Sequence, residues 1–281
     1  MPDYWTHTLT IKDIAEELAL DSDYLYLGTH GPDPFFYVNK LRLFGRKNLS
    51  KVGNRIHDTR IRDLFRILFE QSKQAEEPTV EYFAGFVAHY VIDAACHPYV
   101  YERTKTGAEH KYLELHLDRY LIEHYFRIDH SPESLRRLIR NVSNADFKRY
   151  IAPFYIHICK ELYDIELKVE EFESAGKDIG GGVALSLSPM AKKIPFKPWI
   201  SKLIGIDVNL MIQPDQPDPS IDYELFVALL DPARRTALQA VKDYLAIART
   251  ATEAEIEAFL ERYVRWDFNG VPLTEVAHRI D

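Results

Sequence analysis

The sequence predicts an all-α protein, a multi-helix bundle with additional helices at its C-terminal end. Three observations support this prediction. Apolar residues recur at the spacing of a helix face through most of the chain, no segment shows the convincing alternation of a half-buried strand, and helix-capping residues precede some of the apolar stretches. Of the 281 residues, 46% are hydrophobic and 28% are charged, an ordinary balance for a folded globular protein.

The predicted helices follow in chain order from the apolar face that each would bury. In the first, Ile11 and Leu18 lie on one face. Thr79 is the expected cap of a later helix, and Pro98 is expected to end it, because proline has no N–H to donate. Pro153 is expected to kink another. The predicted helices span residues 10–20, 56–73, 80–96, 110–126, 147–172, 231–250 and 252–264, and a short one follows the cap residue Ser131.

Stretches rich in glycine and proline separate these helices. Loops are predicted at residues 28–37, 175–199 and 213–222. The composition changes most at the second of them. We therefore expect the main helical bundle to span residues 1–172, and residues 173–281 to add an irregular segment and C-terminal helices that pack on the same domain.

The charge balance and the cysteine content exclude several classes of protein. The formal net charge is −8, from 35 basic and 43 acidic residues, and no Lys/Arg tract stands out. This argues against a dedicated nucleic-acid-binding surface, which would neutralise phosphates. Two lone cysteines make neither a disulfide framework nor a Cys-rich zinc site. Without a signal-peptide pattern or an apolar run of about 18 residues, we expect a cytoplasmic protein with no transmembrane segment; the oligomeric state is left open.

The sequence FVAHYVIDAACHPYV, residues 86–100, places three polar side chains four residues apart in a segment otherwise typical of a buried helix. His89, Asp93 and His97 fall on one stripe, because a helix advances about 100° per residue. Two imidazoles flanking a carboxylate form a ligand set for a divalent transition metal. The alternative is a stripe of hydrogen-bonded core histidines, which is the usual explanation for a single buried histidine.

A second stripe with the same spacing lies in HKYLELHLD, residues 110–118. His110, Glu114 and Asp118 are again four residues apart, whereas His116 points elsewhere. The intervening segment of about a dozen residues is long enough to turn a helix hairpin. The two stripes can then face each other and offer at least five ligands to metal ions.

Further candidates lie upstream of both stripes. His7 precedes the first predicted helix, Asp33 lies in the GPDP loop, and His57 is expected to open a helix. Taken singly, each such residue is more often a surface or capping residue. They matter here because they share the N-terminal half with a His/Asp/Glu set that needs partners. His30, three residues before Asp33, is either a substitute ligand, a contact for a phosphate group or an ordinary loop residue.

The order of these residues resembles that of the zinc-dependent phospholipase C superfamily. This superfamily includes secreted bacterial phospholipases C, the catalytic domain of clostridial alpha-toxin and, more distantly, single-strand-specific zinc nucleases. The matching elements are an early Trp/His segment, a loop Asp, a His, an H-x-x-x-D motif, another His and an H-x-x-x-E motif, here Trp5–His7, Asp33, His57, His89/Asp93, His97 and His110/Glu114. The resemblance covers roughly residues 4–127 and implies an intracellular, bacterial-type member.

The resemblance implies a helical, metal-binding catalytic domain with a cluster of two or three zinc ions. The implied ligands are Asp33, His57, His89 and Asp93 for the first ion, His97, His110 and Glu114 for the second, and His7 with a shared Asp93 for the third. Family members complete the third site with an N-terminal Trp. Here that residue is Trp5, so a two-metal protein is the alternative. Asp58, Asp118 and Glu109 are candidates for orienting the histidines through their second ring nitrogen.

The implied reaction is the hydrolysis of a phosphoester by a metal-activated water, with Asp33 as both ligand and proton acceptor. Zinc is the metal that the thiol-free, His-rich set favours, with iron, manganese or nickel as alternatives by ligand type. The partner is a phosphoester substrate, either a phospholipid or a soluble mono- or diester. Residues 190–205 mix lysines with aromatic residues and would either touch an anionic membrane surface or cover the core as a lid.

Two other functions stay open at this point. One is a non-catalytic protein that keeps the metals for regulation or structure. The other is a different helical metallohydrolase built on the dipeptide His57–Asp58, which fits less well because it gives the H-x-x-x-E stripe no role. An open coordination position would favour catalysis, and binding of one metal by both residues of the dipeptide would favour the other hydrolase.

Overall fold

The computed structural model describes residues 4–37, 49–173 and 207–276, together with the single positions 175, 183, 184, 186, 187, 193, 197, 199 and 201. Within these residues there is no β-strand, and one isolated bridge joins Trp266 to Pro272. The prediction of an all-α protein is confirmed. In the described part of the chain, no helix has both the length and the apolar character that crossing a membrane requires.

The described α-helices are α1 (Tyr4–Leu18), α2 (Asp23–Gly28), α3 (Pro34–Tyr37), α4 (Ser50–Asp58), α5 (Ile61–Ser72), α6 (Glu77–Arg103), α7 (Gly107–Tyr120), α8 (Pro132–Arg137), α9 (Asn144–Asp146), α10 (Ala152–Tyr163), α11 (Tyr223–Ile247), α12 (Glu253–Tyr263) and α13 (Leu273–Val276). The π-helical turns Leu121–Tyr125 and Phe147–Ile151 follow α7 and precede α10. Short 3₁₀ turns span Val169–Phe172 and Val208–Met211.

Helix α6 is the centre of the fold, and α2 and α11 pack along it. Most of its side chains are buried, so it is apolar nearly all round, as expected of a helix surrounded by others. Glycines allow α2 to approach closely: a Cβ built on Gly85 would lie 2.2 Å from the Leu25 carbonyl oxygen, and one on Gly28 would lie 2.0 Å from that of Tyr82. The two backbones are therefore in direct contact.

The C-terminal helices share the main hydrophobic core with the N-terminal ones. Buried side chains of α5, α6, α10, α11 and α12 belong to one apolar cluster. Within it, the Ser72 and Tyr244 hydroxyls are 2.8 Å apart and join α5 to α11. The division of the chain at residue 172 stays a prediction.

Helix α6 does not end at Pro98, contrary to the prediction, but continues to Arg103. A proline inside a helix leaves the carbonyl four residues earlier without its donor. In α6 this is the Ala94 carbonyl. Gly270 lies against both this carbonyl and the Pro98 ring, and a Cβ built on Gly270 would come within 2.7 Å of each. A C-terminal turn thus packs against the irregular point of the helix.

The predicted helix 56–73 is two helices. His57 does not open a helix but is the penultimate residue of α4, and α5 begins after Arg60, whose positive φ of 58° breaks the path. A left-handed residue other than glycine carries no clear sequence signal. The break leaves His57 at the C-terminal end of α4, where the residue is buried.

Other predicted boundaries also shift. Helix α1 starts at Tyr4, so His7 lies inside it, and the predicted loop 28–37 ends in the short helix α3.

Thr79 does not cap α6, which begins at Glu77. The Thr79 hydroxyl instead donates to the Tyr150 carbonyl at 2.9 Å. Pro153 stands in the first turn of α10 and does not kink a longer helix. The expected cap at Ser131 is confirmed.

Most of the predicted irregular segment 175–199 and of the interfacial segment 190–205 lies outside the described residues. The predicted helix 231–250 begins earlier, at Tyr223, and passes Pro232, whereas the helix predicted at 252–264 agrees with α12 and its capping box at Thr252.

The contact between α2 and α6 can be tested with two helical glycines. Alanine is favoured over glycine in a helix by about 1 kcal/mol, so only a clash makes Gly85→Ala harmful. We expect Gly85→Ala to lower the free energy of unfolding by ~2 kcal/mol or more, since the added Cβ meets backbone atoms that cannot yield. Gly107→Ala is the control, because no atom lies within 4 Å of its Cβ. Urea unfolding of both variants measures the effect, and similar stabilities would contradict the packing described.

Candidate metal centre

Four side chains from α4, α6 and the loop before α3 meet in the protein interior. Asp33, His57, His89 and Asp93 each offer one ligand atom, all within 4.8 Å of one another. The Nε2 atom of His57 is 3.2 Å from Asp33 Oδ1, and that of His89 is 3.1 Å from Asp93 Oδ2. All four residues are buried. We call this set the first group.

A second group lies one helical turn further along α6. His97 faces His110 and Glu114 of α7, again with one ligand atom of each residue within 4.8 Å of the others. The spacing of four residues brings His110 Nε2 to 2.9 Å from Glu114 Oε1. Asp93 lies between the groups, with Oδ2 3.9 Å from His97 Nδ1. The two polar stripes face each other, as the hairpin predicts.

Main-chain carbonyls fix the orientation of three imidazoles. The Nδ1 of His57 donates to the Gly53 carbonyl at 2.7 Å, and that of His89 donates to the Thr29 carbonyl at 3.0 Å. The Nδ1 of His97 donates to the Phe268 carbonyl. A carbonyl can only accept, so each Nδ1 carries a hydrogen, and Nε2 is the ring nitrogen left to face the cluster. This is the arrangement that a metal-binding histidine has.

The separations in the first group fit a shared cation better than direct hydrogen bonds. Charge-assisted N–H···O bonds to carboxylates are typically about 2.7–2.9 Å long. The two shorter Nε2–carboxylate separations here are 3.1 Å, between His89 and Asp93, and 3.2 Å, between His57 and Asp33. The two longer ones are 3.8 Å, from His89 Nε2 to Asp33 Oδ1, and 3.9 Å, from His57 Nε2 to Asp93 Oδ2. A tetrahedral zinc with bonds of about 2.0–2.1 Å would separate its ligands by about 3.3–3.4 Å.

Several buried polar atoms of the cluster have no hydrogen-bond partner in the described part of the chain. They are Nε2 of His57, His89 and His97, Oδ1 of Asp33, and both carboxylate oxygens of Asp93. Buried polar groups are nearly always paired, and a buried charge without compensation costs several kcal/mol. Divalent cations would satisfy these atoms and offset the carboxylate charges, so the residues present fit the metal.

Burial and neighbouring charged groups shift the pKa values of three ligand residues, Asp93, His97 and Glu114. Burial by itself raises the pKa of Asp93, but the nearby imidazoles of His89 and His97 outweigh it and hold that pKa well below its usual range. Burial lowers the pKa of His97 to about 3. Burial also raises the pKa of Glu114, yet contacts that include the hydrogen bond from His110 bring it to about 2.

His7 joins the first group, whereas His30 lies beside it. His7 is fully buried in α1, and its Nε2 is 3.1 Å from Asp93 Oδ1. His30 stacks on Tyr4 with ring centroids 4.3 Å apart, its Nε2 is 3.4 Å from the Thr8 hydroxyl, and burial lowers its pKa. His30 is 6% exposed, so little of it meets solvent.

The carboxylates predicted to orient histidines make other contacts. Both Asp118 oxygens accept hydrogen bonds from the start of α1, from the Trp5 N–H at 2.7 Å and the Thr6 N–H at 2.9 Å. Asp118 therefore fixes the helix that carries His7. The Trp5 nitrogen, the implied ligand of a third metal, is engaged in this contact.

Asp58 and Glu109 also differ from the prediction. Asp58 is exposed and accepts from the Asn269 amide at 2.8 Å, while the neighbouring His57 ring faces Asp33. The two members of the HD dipeptide thus point apart, which disfavours the alternative hydrolase. Glu109 is exposed and closes the capping box of α7 with Thr106.

Sequence reasoning missed the C-terminal turn that closes one side of the cluster. The Phe268 carbonyl accepts from His97, its N–H donates to the His57 carbonyl at 3.2 Å, and its ring packs 5.0 Å from that of His57. A main-chain contact leaves no mark on residue type, although the Asp-Phe-Asn-Gly sequence is typical of a tight turn. A second missed residue is Gly31, with φ of 46°, where a Cβ would lie 2.2 Å from the His89 ring.

Comparison with known protein families agrees with this geometry. A family model described as zinc dependent phospholipase C matches residues 6–166, which is more than half of the chain. The chain belongs to the zinc-dependent phospholipase C family. No curated protein and no solved structure matches it significantly. Both candidate metal groups lie within the matched residues, so family membership and the buried cluster support the same metal-dependent chemistry.

The second group can be tested with two glutamates of α7. We expect Glu114→Gln to lower the zinc content of purified protein by about one equivalent, because it removes a charged ligand while the first group stays intact. Glu109→Gln is the matched control, since glutamine also fits a capping box. Elemental analysis after dialysis measures both variants. Equal zinc contents would show that Glu114 does not hold a metal.

Proposed function

We propose that this protein is a zinc-dependent phosphoester hydrolase of the phospholipase C type, with two or three ions held by His7, Asp33, His57, His89, Asp93, His97, His110 and Glu114. The observation that carries the proposal is the pair of adjacent ligand groups, with the buried Asp93 of the first 3.9 Å from His97 of the second. Neighbouring metals are the arrangement that phosphoester hydrolysis uses. Membership of the zinc-dependent phospholipase C family supports the same reaction class.

Bound zinc would supply Lewis acidity toward the phosphate oxygens and would lower the pKa of water. The chain's own residues position the ligand atoms and accept the proton. Imidazoles whose Nδ1 atoms are fixed by carbonyls keep their ligand atoms in place. Asp33 is less buried than Asp93, with 9% against 0% of the side chain exposed, and comes from a loop, so it is the carboxylate we assign to accept a proton from the attacking water.

The substrate we propose is a phosphoester, with phospholipid as the class that the family description favours. A soluble phosphodiester or phosphomonoester uses the same metal contacts. Zinc is the proposed metal, and iron, manganese or nickel would fit the same nitrogen and oxygen ligands. The cytoplasm stays the predicted compartment.

The proposal is tested by metal analysis and a phosphoester panel on the full chain. The panel contains phosphatidylcholine vesicles, an aryl phosphodiester, an aryl phosphomonoester and single-stranded nucleic acid. We expect His89→Ala to lose metal from the first group and to abolish hydrolysis, because His89 lies at the buried centre of that group. His157→Ala on α10 is the control, since this histidine is exposed. Zinc retained without hydrolysis of any ester would favour the non-catalytic alternative.

The proton-accepting role of Asp33 has its own test. Asparagine keeps an oxygen ligand but cannot take a proton. We expect Asp33→Asn to lower kcat by about 10²–10⁴-fold, the range of general-base catalysis, while the zinc of the second group is retained. A kcat within tenfold of the unmodified protein would assign the proton to another group.

A further inference from the structure

The edge of the cluster beside His110 is more exposed than the edge formed by Asp33 and His57. The His110 side chain is 17% exposed, whereas those of Asp33 and His57 are 9% and 5% exposed. The aromatic ring that covers the edge beside His110 belongs to Tyr101 of α6. Its centroid lies 5.0 Å from the His110 ring and 5.5 Å from the His97 ring, and the residue is 49% exposed. A substrate that reaches the second group from this side must pass Tyr101.

The Tyr101 hydroxyl is held in place by two hydrogen-bonded side chains. It donates to Asn269 Oδ1 at 2.9 Å, and Asn269 Nδ2 donates to Asp58 Oδ1 at 2.8 Å. We call these three residues the rim. They come from α6, the C-terminal turn and the end of α4, elements that also carry His97, the Phe268 carbonyl and His57.

The C-terminal turn gives the rim a rigid base. The Asp267 carboxylate accepts from the N–H groups of Asn269 and Val271, both at 2.8 Å. Gly270 has a positive φ of 75° and lies against Pro98, where a Cβ would come within 2.5 Å of the ring. Side chains that contact a substrate are effective when neighbouring groups fix them in this way.

We propose that Tyr101 is a substrate-contacting residue of the hydrolase, positioned by Asn269, whose hydroxyl donates to a phosphate oxygen at the second group. This inference rests on the proposed function. On binding, the O–H turns from Asn269 Oδ1 to the substrate oxygen, and no proton is transferred. A half-exposed hydroxyl adds little to stability, because water satisfies it equally well in the absence of Asn269.

The test compares two Tyr→Phe variants of the zinc-loaded full chain. Tyr101→Phe keeps the ring against both histidines and removes only the hydroxyl. We expect KM for an aryl phosphodiester and Kd for inorganic phosphate to rise about three- to tenfold, equivalent to about 0.7–1.4 kcal/mol, with kcat within about twofold. Tyr112→Phe is the matched control: Tyr112 is also exposed, and its hydroxyl donates to Asp218 at 2.7 Å. Zinc content and Tm are measured for each variant.

A rise in KM and phosphate Kd with Tyr101→Phe alone, at constant zinc content, supports the contact. Unchanged KM and Kd overturn it, and so does a loss of zinc or of Tm that accounts for the whole effect. If the unmodified protein hydrolyses no ester, the proposed function fails, while phosphate binding by the two variants still decides the role of Tyr101. If the zinc-loaded protein binds no phosphate, the inference fails as well.

Discussion

The buried carboxylate of Asp93 is the constraint on which the site depends. It is fully buried on the central helix, and an ionised group in that position is tolerated only when opposite charge or hydrogen bonds compensate it. The Nε2 atoms of His7 and His89 lie 3.1 Å from its two oxygens, and neither oxygen has a hydrogen-bond partner in the described part of the chain. A cation between the nitrogens and the oxygens would compensate this charge. Metal binding would therefore be coupled to the stability of this helix.

Placing that charge between two ligand groups requires α6 to stay intact for its whole length. From His89 to His97 the helix rises about 12 Å, at 1.5 Å per residue, and Pro98 follows at once. A break there would have left the position of His97 undefined. Gly270 lies against the proline and the Phe268 carbonyl holds the His97 ring, so a turn near the C-terminal end supports a ligand residue 171 positions earlier in the chain.

The parts of the site that follow from a helical repeat could be predicted from the sequence, and the parts that depend on distant backbone could not. Intervals of four residues place His89, Asp93 and His97 on one face wherever the helix lies. The orientation of His57 could not be predicted, because it depends on a break at Arg60 in a left-handed conformation. The roles of Asp118 and the Phe268 carbonyl could not be predicted either, because a hydrogen bond between residues more than 100 positions apart leaves no local sequence pattern.

The burial of the cluster is graded, and this bears on whether it is catalytic. His7, His89 and Asp93 are fully buried, whereas Asp33 and His110 keep 9% and 17% of their side chains exposed. A structural zinc site closes its shell with protein ligands and gains nothing from access to solvent. A hydrolytic site must admit both a phosphate group and water. Deeply buried residues that would hold the ions, together with more exposed residues that substrate could reach, are the arrangement that catalysis requires, and this favours the enzyme over a regulatory or structural metal-binding protein.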